Sequence, residues 1–185
     1  MTNCYVVVEG EIDAAILSKV LGERLKDGAV GIKVGRGRSS AISLARTMLV
    51  SRPDALTVLV LDADSTDQER IDDMEAELEG SLADVSRRER FGVYLLAPSI
   101  EACLFRDLDG LQRFFKSNFS AEQVVESRYN PKLVIQTKLN QRGEKYNART
   151  IRAVLDNLDV QRLQTADGIR ELLRFVANAA VATTA

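Results

Sequence analysis

Thr57–Asp67, TVLVLDADSTD, passes from an unbroken apolar run into two aspartates, Asp62 and Asp64, two residues apart. The run Leu56–Leu61 reads as a strand, too short and too continuous for an amphipathic helix. Upstream, Cys4–Val8 reads as a buried strand, and residues 11–25 place Ile12, Ala15, Ile16, Leu17, Val20 and Leu21 at helical spacing. Gly28 ends that helix, and Val30–Val34 supplies a second short strand before the turn Gly35, Arg36, Gly37, Arg38. Ser39 is positioned to cap a helix that runs to about Val50 and is closed by Pro53. After the third strand come an acidic helix over residues 66–82 and a fourth strand over Phe91–Ala97, ended by Pro98.

Strands of five to seven residues alternating with helices predict right-handed β-α-β crossovers and a parallel sheet. The fold class expected is therefore α/β: a Rossmann-like parallel sheet of about four strands flanked by helices. Beyond Ile100 the pattern turns to helices alone, over residues 100–105, 108–116, 121–127, 132–139, 150–158 and 165–180. Residues 1–100 are thus expected to form the α/β domain and 101–185 a helical extension packed on it, without a second core or a tether.

The chain of 185 residues is 45% hydrophobic and 28% charged, the composition of an ordinary globular protein. Its apolar runs fall far short of the roughly 20 residues needed to span a bilayer. The opening MTNCYVVVEGE lacks the basic and apolar segments of a secretion signal, so a cytoplasmic location is expected. Cys4 and Cys103 each sit in an apolar stretch and read as buried free thiols. The chain has no histidine, which removes imidazole zinc ligands, Ser/His/Asp triads and histidine general bases. Catalysis must then use carboxylates, lysines, hydroxyls or metal-bound water. The formal charge is −2, yet residues 128–152 carry Arg128, Lys132, Lys138, Arg142, Lys145, Arg149 and Arg152 against Glu144 alone. Tyr129 and Tyr146 interleave that run, as on a nucleic-acid track.

If extended geometry persists past the third strand, Asp62 and Asp64 point to one side and face one point. A hard divalent cation, Mg²⁺ or Mn²⁺, relieves their repulsion; helix capping and turn formation by Asp is the plain alternative. Glu9 ends the first strand in the same manner, and ligands of open α/β sheets gather beyond the carboxyl ends of strands. Arg36 and Arg38 in the glycine turn are placed to meet phosphate near a helix N-terminus.

Glu9 with Gly10 and Asp13, the DAD triplet Asp62–Asp64 and the GRGR turn between them resemble a TOPRIM domain, over roughly residues 4–97. The segment APSIEACLF resembles the proline-then-glutamate stretch of TOPRIM nucleases of the overcoming-lysogenization-defect type, which brings in Glu101. The resemblance implies a TOPRIM fold whose metal set is Glu9, Asp13, Asp62, Asp64, Asp67 and Glu101. It implies Glu9, Asp62 and Lys132 as catalytic residues, and Mg²⁺ or Mn²⁺ as cofactor. Arg36, Arg38, Lys138, Arg142, Lys145 and Arg149 are the expected nucleic-acid contacts.

The activity so implied is metal-dependent hydrolysis of DNA or RNA phosphodiesters, with phage defence as its setting by family likeness. No GxxxxGK[ST] loop occurs in the chain, so an ATPase would be separately encoded; a homo-oligomer is the other expected partner. Two competing readings keep the same residues: a non-catalytic TOPRIM binding or regulatory module, and a small-molecule phosphotransfer enzyme.

Overall fold

A computed structural model describes residues 2–182, with side chains for all of these except 23 and 178–182. Four strands form the sheet: β1 (Cys4–Val8), β2 (Val30–Val34), β3 (Leu56–Asp62) and β4 (Phe91–Leu96). Their order is β2-β1-β3-β4 and every pairing is parallel. Cys4 lies opposite both Val30 and Leu56, and Asp62 lies opposite Leu96, so all four strands end at one edge. The expected α/β architecture is what the chain adopts.

The alternation of side chains along each strand divides the interior into two layers. Val6 and Val8 of β1 and Val58 and Val60 of β3 face one core, while Val7, Leu59 and Leu61 face the other. The first core is covered by α1 (Glu11–Leu21) and the C-terminal helices. The second is covered by α3 (Arg38–Ser51) and α4 (Gln68–Ala83). Both central strands are buried on both sides, which is why their sequences read as continuous apolar runs. Each fully buried Val or Leu here is worth about 1.5–3 kcal/mol over its exposed state.

Residues expected to continue one helix to Leu25 instead break at Gly22, whose φ of +48° a glycine tolerates, and a short α2 (Glu23–Lys26) follows. At the start of α3 the capping position belongs to Gly37 (φ +117°), not Ser39, which falls inside the helix. Residues 100–105 are not an α-helix: Ile100–Asp107 winds as 3-10 helix. The rest of the helical part is α5 (Leu108–Phe115), α6 (Ala121–Glu126), α7 (Pro131–Gln141), α8 (Ala148–Leu155), α9 (Val160–Leu163) and α10 (Asp167–Ala182). The sequence pattern missed α9, a single turn capped by Asp159, whose carboxylate accepts the Gln161 N–H at 2.9 Å.

These helices share their interior with the sheet. Ile135, Leu139, Ile151, Val154 and Leu172 belong to the same buried cluster as Val6, Val58 and Leu17. Helix α10 lies on β4, with the Phe175 and Tyr94 rings edge to face at 6.1 Å. No helix among the described residues is long and apolar enough to cross a membrane.

Candidate active site

The carboxyl edge of the sheet opens into a cleft of about 500 Å³ lined by Glu9, Asp13, Asp62 and Glu101 together with Lys132 and Tyr146. Four stretches of chain supply the acids. Glu9 follows β1, Asp13 sits in the first turn of α1, Asp62 is the last residue of β3, and Glu101 lies in the 3-10 segment. Lys132 comes from α7 and Tyr146 from the loop before α8.

Asp62 is fixed by the Ile100 N–H, which donates to its Oδ1 at 2.8 Å. Burial, followed by the negative charges of Glu101, Asp13 and Glu9, raises its pKa from an ordinary 3.8 to about 8; the Ile100 hydrogen bond opposes the rise. Asp13 accepts the Gly10 N–H at 2.7 Å, closing the N-terminus of α1. Burial lifts its pKa to about 6, helped by Glu101 and Glu9 and opposed by the Gly10 hydrogen bond and Lys132. Glu101 is only 1% exposed, and its two oxygens accept the hydroxyls of Ser99 and Tyr146. Burial and the Glu101 charge drive the Tyr146 pKa upward, so this phenol remains a donor. The Lys132 ammonium stands 5.9 Å from the centre of the Tyr146 ring.

Arg38 joins the other acids. Its Nε lies 3.4 Å from Glu9 Oε1, its Nη2 donates to Asp64 Oδ2 at 2.9 Å, and the same nitrogen donates to the Asp62 backbone carbonyl. Extended geometry does not persist through Asp64. The strand ends at Asp62, and Asp64 takes a left-handed φ of +51° while its N–H donates to the Pro98 carbonyl. Asp62 therefore turns inward, and Asp64 lies at the surface, 72% exposed, against Arg38. Both still border a second cleft of about 300 Å³ beside α7.

The remaining expected residues scatter. Asp67 caps α4, accepting the N–H groups of Glu69 and Arg70, and lines neither cleft. Arg36 is exposed at the rim of the first cleft. Lys145 and Arg149 are exposed, and Arg142 pairs with Glu144 at 2.7 Å and lies over the Phe114 ring. Lys138 is a correction: it is 5% exposed, and its ammonium is held by the Asn118 carbonyl at 2.7 Å, Ser117 Oγ at 3.2 Å and the face of Phe119. A cation so enclosed offers nothing to a polyanion at the surface. Sequence reasoning had no role for Ser99, although it stands two residues before Glu101 in the segment that drew attention to it.

No family model matches the sequence, and no curated protein matches it. Solved structures do match in shape. The C-terminal region of the Burkholderia pseudomallei OLD protein superposes with a TM-score of 0.61 at 14% identity, over 97% of this chain and 99% of that one. The corresponding region of the Xanthomonas campestris pv. campestris OLD protein gives 0.61 at 13% identity, over 100% and 98%. The chain has the fold of the OLD C-terminal region. This likeness runs through sheet and helices alike, in keeping with the TOPRIM resemblance seen in the motifs.

Divalent metals are general to TOPRIM domains. Among the described residues no three acidic or thiol side chains stand close enough together to enclose an ion. Mg²⁺ does not need such a cage: it keeps several waters and binds through one or two carboxylates plus substrate phosphate. The donors here are all oxygen, and Asp62, whose pKa is raised by burial and then by the neighbouring carboxylates, is a group that an added cation would draw back toward its charged form. The residues fit an open Mg²⁺ or Mn²⁺ site.

Proposed function

We propose that this chain is a divalent-metal-dependent nuclease that hydrolyses phosphodiester bonds of nucleic acid in the cleft at the carboxyl edge of the sheet. The observation that carries the proposal is the gathering of Glu9, Asp13, Asp62 and Glu101 around one cleft that Lys132 also lines, in a chain with no histidine. The OLD-like fold supports it.

Asp62 and Asp13, the half-buried acids with raised pKa values, would hold Mg²⁺ or Mn²⁺, with Glu9 and Asp64 at the rim. A cation bound there supplies positive charge to phosphate oxygens and lowers the pKa of water. Glu101 is kept immobile by the hydroxyls of Ser99 and Tyr146 and sets the negative field around Asp62 and Asp13. Lys132, on an exposed stretch of α7, meets the phosphate charge in the same cleft. In the hydrolysis a water oxygen bonds to phosphorus as the bond to the sugar oxygen breaks. Glu9 takes the water proton, and the departing oxygen is protonated from solvent.

The test is cleavage of single-stranded and duplex DNA and RNA in Mg²⁺ and in Mn²⁺, beside chelator and Asp62→Ala controls. Turnover in metal that disappears in both controls is expected. Intact substrates under every condition, while a control nuclease cuts, would defeat the proposal. The guanidinium of Arg38 between Glu9 and Asp64 favours one alternative, a binding module whose acids are already neutralised by the chain. In that case Asp62→Ala leaves nucleic-acid affinity unchanged and there is no turnover to lose.

A further inference from the structure

Four large apolar or aromatic side chains are strongly exposed among the described residues: Val50, Val125, Tyr129 and Leu133. Three of them belong to α6, α7 and the turn between them. Tyr129 is 58% exposed and Leu133 53%, and both line the 300 Å³ cleft whose far wall is Asp62, Asp64 and Ser99. The Tyr129 backbone N–H is tied to the Glu126 carbonyl at 3.0 Å, so the ring is mounted on a structured turn. Its hydroxyl has no hydrogen-bond partner among the described residues. Asn130 and Gln136 line the same cleft, and the Asn130 amide already donates to the Glu126 carboxylate. Lys132 and Asp62 each border both this cleft and the acidic one.

An exposed ring, a leucine and the Gln136 amide beside Lys132 form a surface complementary to one nucleoside: the π-face for the base, the amide for its polar edge, the ammonium for the linked phosphate. We propose that the Tyr129 cleft is a nucleobase subsite, and that the substrate is accordingly a single-stranded or locally unpaired segment. Bases inside a duplex are stacked on both faces and cannot present one to Tyr129. The inference rests on the nuclease reading for the position of the phosphate, but stacking by Tyr129 is measurable without turnover.

The experiment uses the full chain and a short single-stranded oligodeoxynucleotide carrying 2-aminopurine, in Ca²⁺, with strand integrity checked afterwards on a gel. The chain contains no tryptophan, so the reporter fluorescence is read cleanly. Wild type should bind and quench the base. Tyr129→Ala should abolish the quench and weaken binding about tenfold or more, and Tyr129→Phe should restore both, because the ring and not the hydroxyl is at work. An oligonucleotide abasic at that position should bind wild type as weakly as the normal strand binds Tyr129→Ala. The inference is overturned if Tyr129→Ala binds and quenches like wild type, or if wild type neither binds nor quenches; either leaves the exposed face to a protein partner. Thermal melting of each variant confirms folding, which the exposed position of Tyr129 predicts to be intact. A parallel Mg²⁺ cleavage assay separates the two claims. Cutting without any Tyr129 effect removes only the subsite, and stacking without cutting removes only the nuclease.

Discussion

Replacing Asp62 with asparagine should stabilise the metal-free protein while removing its response to Mg²⁺. The asparagine carbonyl can still accept the Ile100 N–H, so the local geometry is kept and only the buried charge is lost. Burial and the neighbouring carboxylates raise the Asp62 pKa from 3.8 to about 8. Between about pH 4 and pH 8 the unfolded chain has released this proton while the folded protein retains it, so Asp62 makes stability fall as pH rises through that window. Each pH unit in the window corresponds to about 1.4 kcal/mol, which puts the cost at pH 7 on the order of 4 kcal/mol. For a chain of this size that is a difference in Tm of roughly 10 °C. Urea or thermal unfolding in chelator at pH 5, 7 and 8.5 should show Asp62→Asn more stable than wild type, by a margin that widens with pH. Saturating Mg²⁺ should then raise the wild-type Tm and leave the variant where it was. A variant no more stable than wild type at pH 8.5, or a margin independent of pH, would refute the account of Asp62 as a buried acid held among other acids.

Three further outcomes follow from contacts elsewhere. Lys138→Met should cost about 1–3 kcal/mol in urea unfolding, because the Asn118 carbonyl loses its donor, while nucleic-acid affinity and its salt dependence stay unchanged. Gly35→Ala should destabilise by about 3 kcal/mol in the same assay: a Cβ there would meet the backbone of Ala41 at 2.4 Å, and the close approach of β2 to α3 would open. Arg38→Gln should change stability by less than about 1 kcal/mol, since its ion pairs are partly exposed, but tighten Mg²⁺ binding severalfold in calorimetric titration by leaving Glu9 and Asp64 uncompensated.

The sheet was legible because strands buried on both faces carry continuous apolar runs closed by Gly, Pro or Asp. Glu9, Asp13 and Asp62 could be named together because strand ends of a parallel sheet share an edge, whereas Glu101 joins them only through the family resemblance of its segment. What escaped was decided by single backbone torsions and by the interior of the helical part. Nothing in DADSTD announces that Asp64 turns left-handed, since Asp is also at home in the extended chain expected there. Charge alone places Lys138 among the surface cations. Its spacing told otherwise, for Val134, Ile135, Lys138 and Leu139 lie at positions i, i+1, i+4 and i+5 and form one buried stripe of α7. Tyr146 is brought to Glu101 across 45 residues by the packing of α8 on α1, which no local pattern encodes.

The division of labour around the acidic cleft bears on how the molecule could be dissected. Every carboxylate arrives before residue 102, whereas the lysine and the phenol arrive after residue 130. A fragment ending just beyond Glu101 would therefore inherit the acids with Arg38 as their counter-charge but without Lys132, and one of its two apolar layers would lose its C-terminal helical cover. The two halves stand to each other as jaw and jaw, and neither is a detachable module.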